Sequence, residues 1–148
     1  MKIVGRTATL AILLGTIGLT ASFVLESNLR RGVYPTKADS IGIPLMETVF
    51  MSVVGAVLLV LALAASAFSL ALAPRVSRPW RLVLAAAYVL AHAECFAFFL
   101  LWAASWLTPH HYPIAASCLL VAAAIAYFSV ADVRSLRSNN SLQPTLGG

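Results

Sequence analysis

Three polar side chains lie deep in long apolar stretches of this 148-residue chain: Glu94, His92 and Thr16. Glu94 sits near the middle of a run that is otherwise uncharged, and an ionised carboxylate in hydrocarbon costs about 3 kcal/mol even on the most lenient insertion scale. The expectation is a neutral, protonated carboxyl turned into the interior of a helix bundle. There it either bonds across helices or carries protons or a cation. Thr16, at matching depth in the first apolar run, is the expected hydroxyl partner. His92 is two residues from Glu94, which places the two about 200° apart on a helix. His92 shares its face with Tyr88, Cys95, Phe96 and Phe99, and reads as a core imidazole bonded to a neighbouring helix, or as a proton relay.

A second group gathers at chain turns: His110 and His111, with Glu26, Asp39 and Glu47 expected at the same end. Imidazoles and carboxylates can hold Zn²⁺, but adjacent histidines lack the i, i+4 spacing of a helical metal site. A wet turn is the plainer reading, and neither a metal nor a cofactor is assigned. Cys95 and Cys118 fall at different heights, which disfavours a disulfide. The chain has no phosphate-binding glycine loop, no Gly-x-Ser-x-Gly and no Cys-x-x-Cys-His, so an enzyme is the lesser expectation.

The elements that must position these residues follow from composition. Hydrophobic residues make up 61% of the chain and charged ones 10%, against about 25% charged in a soluble domain. A run of about 20 apolar residues crosses a bilayer, and four such runs are visible, at 7–25, 44–73, 82–107 and 114–131. The fold class expected is an all-α integral membrane protein, a bundle of four transmembrane helices within residues 1–134. Residues 135–148, rich in Ser, Asn, Pro and Gly, read as a disordered tail. Pro44 and Glu47 suit the start of the second helix. Small residues suit helix contacts: Ala11, Gly15, Gly18 and Ser22 on the first helix, Ala62, Ser66 and Ser69 on the second, Ala115, Ala122 and Ala126 on the fourth. The connection 26–43, broken by Gly32, Pro35 and Gly42, is expected to cap one end of the bundle, with Val33, Tyr34, Ile41 and Ile43 docking there. A cleavable leader is the weighed alternative for the N-terminus, though 19 uncharged residues exceed a signal core of about 7–15.

Charge orients the bundle. Lys2, Arg6, Arg75, Arg78, Arg81, Arg134 and Arg137 fall at one end, and only Arg30, Arg31 and Lys37 at the other. The positive-inside rule then makes both termini cytoplasmic in a plasma (inner) membrane. Arg75, Arg78, Arg81, Arg134 and Arg137 are expected to meet lipid headgroups, so the net charge of +5 calls for no nucleic acid. Trp80 is expected at one interface and Trp102 and Trp106 at the other. The function expected is a non-enzymatic structural or complex-forming membrane component, partnered by the lipid bilayer and by a homo-oligomer or another membrane protein. The alternatives are a small proton- or cation-coupled transporter subunit using Glu94, and a holin-like pore former.

Overall fold

The computed structural model describes residues 2–33, 39–72 and 75–141. These form four helices: α1 (Lys2–Arg30), α2 (Asp39–Leu72), α3 (Arg78–Ser105) and α4 (Tyr112–Ser141). The apolar stretches within them are Val4–Arg30, Pro44–Leu72, Pro79–Ser105 and Tyr112–Arg134, each long and apolar enough to cross a membrane. The shortest has 23 residues and reaches about 35 Å at 1.5 Å per residue, more than the ~30 Å hydrocarbon core.

The helices outrun the apolar runs because helix ends are set by backbone chemistry, whereas span edges are set by charge. Helix α1 passes both Arg6 and Glu26, since Glu26 pairs with Arg30 one turn later along its surface. It ends at Gly32, whose φ of 68° is the left-handed conformation glycine adopts without a Cβ penalty. Around it Gly32 N–H donates to the Leu29 carbonyl and Val33 N–H to the Asn28 carbonyl, closing the helix in a Schellman arrangement. Helix α2 starts at Asp39, five residues before the expected start, so Pro44 lies inside it. Much of the expected 26–43 cap is therefore helix. Tyr34 lies outside the described residues, as do the side chains of Asp39, Ile41 and Ile43. Helix α3 carries Pro79 in its first turn and closes on Trp106, whose N–H donates to the Ala103 carbonyl while the Leu107 N–H donates to that of Ala104. Helix α4 runs through Ser141, past the position at which the tail was expected to begin: after Pro113 in its first turn no proline or glycine occurs before Pro144. Residues 142–148 lie outside the described residues.

The helices form a square. Each packs against its chain neighbours and α1 closes on α4, while the backbones of the diagonal pairs, α1 with α3 and α2 with α4, stay apart among the described residues. The short connections make neighbours antiparallel. The interior is filled by Leu10, Ile17, Leu59, Phe99, Trp102, Ile114, Val121 and others, with both cysteines buried and unbonded among them. The outside is equally apolar: Leu19, Phe23, Met46 and Leu101 each expose more than 70% of their surface. A coat of that kind would aggregate in water and suits a lipid solvent.

Two packing expectations are corrected. Gly15 and Gly18 face outward with nothing near the position of a Cβ, because α1 turns its larger Leu10–Ile17–Ala21–Val24 stripe inward. Trp102 and Trp106 are buried in the bundle, not spread at an interface, and both indole N–H groups lack a hydrogen-bond partner. The glycine that does permit close approach is Gly55 on α2. A Cβ there would lie 2.9 Å from Phe99 Cζ and 3.2 Å from Phe98 Cε1, and Phe99 is fully buried with no room to retreat. Gly55→Val is expected to lower stability by about 1–3 kcal/mol, read by unfolding in mixed micelles; Gly15→Val, facing open space, should change it by less than about 0.5 kcal/mol.

Candidate functional site

The basic end of the bundle holds the densest polar chemistry among the described residues. Arg6 of α1 faces Asp132 of α4 through two parallel contacts, Nη1 to Oδ2 at 2.7 Å and Nη2 to Oδ1 at 2.6 Å. This is the bidentate geometry that favours guanidinium over ammonium. Both groups are withdrawn from the surface, with side-chain exposures of 13% and 4%. The guanidinium also lies 5.2 Å over the Phe128 ring. From α3 the Tyr88 hydroxyl donates to Asp132 Oδ2 at 2.9 Å, so one carboxylate ties three helices together.

The chain of contacts continues along α3. Tyr88 and His92 are one turn apart and stack at 4.0 Å, and His92 Nδ1 lies 2.8 Å from the Tyr88 carbonyl. A carbonyl only accepts, so Nδ1 carries a proton, and in the neutral imidazole Nε2 is the acceptor. Ser66 of α2 is 3.2 Å away and donates to it. Arg6, Asp132, Tyr88, His92 and Ser66 thus join all four helices. A small cavity of about 10 Å³ lies between Arg6, Ser66 and His92, walled by Leu10, Leu59 and Phe128 among others. That volume fits about one water molecule, with three polar partners at hand.

Above this layer the buried residues are mostly apolar. Ile17, Cys95, Phe99, Trp102, Ile114, Cys118 and Val121 are all fully buried, and the buried Ser117 hydroxyl donates to the Ile114 carbonyl of its own helix. Glu94 is not part of either layer. It lies on the exposed outer face of α3, which corrects the expectation that it points inward. The 200° offset lets only one of His92 and Glu94 face the core, and the face with Tyr88, His92, Cys95 and Phe99 buries far more side chain. Thr16 cannot be its partner, since α1 and α3 are diagonal; the Thr16 hydroxyl instead donates to the Ile12 carbonyl of its own helix. Among the described residues Glu94 has no hydrogen bond or ion pair.

No family model, curated protein or solved structure matches the chain.

The group at the opposite end comes together only in part. The Asn28 amide donates to the His110 carbonyl at 2.9 Å, His111 Nδ1 meets the Thr108 hydroxyl at 2.6 Å, and the His111 ring lies 5.1 Å from Trp106. Burial, reinforced by repulsion from His110, pushes the His111 imidazole below its ordinary pKa. Glu26 is engaged by Arg30 and Glu47 is exposed. Among the described residues no three of His, Cys, Asp and Glu come together as a metal site. At the basic end Arg75, Arg81 and Arg134 are exposed, while the side chains of Arg78 and Arg137 lie outside the described residues. Sequence reasoning missed Arg6, Asp132, Tyr88 and Ser66 as one site. The available signal was an Arg and an Asp facing each other at the same end of the first and last helices.

Proposed function

We propose that this chain is a multi-pass protein of the plasma (inner) membrane, with both termini cytoplasmic, that serves as a non-enzymatic component of a membrane complex. The outer face of α3 around Glu94 is its association surface. The observation that carries this reading is the position of Glu94: the one carboxyl near the middle of an apolar helix faces away from a packed interior and lacks a partner among the described residues of its own chain. Ionisable groups at such depth nearly always face protein or water, so another protein surface must supply what this bundle does not. The buried Arg6–Asp132–Tyr88–His92–Ser66 network then acts as the clamp that fixes the four helices and presents that face. The largely apolar layer above His92 counts against a holin-like pore through one bundle. It counts equally against a transporter moving protons or cations along the chain's own axis to Glu94.

The test places a photo-crosslinking amino acid at Leu90 or Leu101, which flank Glu94 on the exposed face of α3, and at Leu19 on the diagonal helix. Crosslinked polypeptide is expected from the two α3 positions in native membranes; its absence from both would remove the reading. Orientation is checked separately. Cysteines introduced at Ser77 and Lys37 should label from opposite sides, Ser77 from the cytoplasm.

A further inference from the structure

We infer that the cavity between Arg6, Ser66 and His92 is a binding site for one water molecule, which accepts a hydrogen bond from Arg6 and donates one to Ser66. The inference goes beyond the association reading and does not depend on it. All four helices supply walls: Arg6 from α1, Ser66 from α2, His92 from α3 and Phe128 from α4. The volume of about 10 Å³ suits a single water, and sites of that size hold one when two to four polar groups line them. The bonding capacity is present. Arg6 carries five N–H donors and gives two to Asp132. The Ser66 hydroxyl gives its hydrogen to His92 Nε2, which leaves its oxygen able to accept. The ligand therefore has to accept on one side and donate on the other, as water does and as neither a metal cation nor a halide can. A cation would also face the guanidinium with no carboxylate among the lining residues, and a larger anion would have to displace Leu10 or Leu59, each 4% exposed. Bound there, the water gives the Arg6–Asp132 pair and the Ser66–His92 pair a second link besides Tyr88. The bonds then run in one direction, from Arg6 through the water and Ser66 to His92 and on to the Tyr88 carbonyl, and a chain of uniform polarity strengthens its members. The Tyr88 hydroxyl returns to Asp132, so the network closes into a ring across all four helices.

The experiment uses the full-length chain with ¹³C-labelled serine in vesicles of phosphatidylcholine and phosphatidylglycerol, and measures by solid-state NMR how fast magnetisation passes from water protons to each assigned serine. Ser117 is the internal control. It is buried to a similar degree, 6% exposed against 3% for Ser66, and lies a similar distance from the end of its helix, but it bonds the Ile114 carbonyl and does not line the cavity. Transfer to Ser66 is expected to be at least about threefold faster than to Ser117, because an ordered water bonded to a hydroxyl lies within direct reach of it. Ala62, 4% exposed, also lines the cavity, and Ala62→Val places two more carbons in it. In that variant, with its fold checked by helical circular dichroism, the Ser66 rate should fall to that of Ser117. Should Ala62→Val not fold, Ala62→Cys fills the same space with a single sulfur. Equal rates at Ser66 and Ser117 in the native chain would overturn the site, and so would a Ser66 rate that stays fast in a folded variant whose cavity is filled.

Discussion

Asp132→Ala is expected to lower the unfolding free energy by about 3 kcal/mol, the lower part of the range for breaking a buried ion pair. The loss has two sources. Arg6 loses both carboxylate contacts, and the Tyr88 hydroxyl loses its acceptor inside the bundle. Arg6 is near the start of α1 and can lift its guanidinium toward the membrane surface along its methylene stem, which holds the cost of its lost partner down. Tyr88 has no such freedom, because its ring is stacked on His92. Arg6→Ala should cost a similar amount, leaving Asp132 without its ion-pair partner in a site 3% exposed. The pairing itself is read from the double variant. Arg6→Met with Asp132→Leu should be less damaging than the sum of the single losses by at least about 1.5 kcal/mol, since an apolar pair of similar volume leaves no charge behind. Unfolding in mixed micelles, followed by helical circular dichroism, measures each of these proteins. Additive losses would show that the two residues act independently and that the bidentate contact carries no coupling.

That network is the part of the site least legible in the chain. The four apolar runs, their helical class and the end at which the basic residues cluster follow from where charge is absent. What a single chain does not display is which charge at a helix end turns inward. Asp132 and Arg6 both read as the polar margins of spans, yet α4 continues past Asp132 and α1 begins before Arg6. Each therefore sits inside a helix and faces a neighbour. Glu94 shows the complementary failure. The cost of a mid-helix carboxylate points to the interior of one bundle, whereas the period of α3 sends the bulkier Tyr88–His92–Cys95–Phe99 face inward and Glu94 out. Pattern decides direction, and the electrostatic demand passes to whatever covers α3. The outward glycines of α1 carry the same lesson: small residues permit approach, but bulk chooses the buried face.

Phe99→Ala is expected to have the largest effect among apolar positions, about 3–5 kcal/mol. The ring is fully buried, stands edge-on to Phe98 at 5.2 Å and lies 5.9 Å from Trp102. In lipid the loss comes mainly from packing: the unfolded helices remain in an apolar solvent, so the contacts forfeited around the cavity matter more than transfer from water. This makes the prediction sharply dependent on fit, and Gly55 tests it. In the native protein a side chain at 55 collides with Phe99, but in Phe99→Ala the same space is vacant. Gly55→Val should therefore change sign, from destabilising in the native background to restoring at least about 1 kcal/mol in the Phe99→Ala background. A Gly55→Val penalty that is the same in both backgrounds would mean that α2 and α3 do not meet at this point. The consequence reaches the surface on the far side of α3. Phe99 and the neighbouring Gly55 contact set how closely α3 lies on α2, and with it the plane in which Glu94 is presented. Phe99→Ala should accordingly weaken association of the full chain as well as its stability, whereas the filled double variant recovers both.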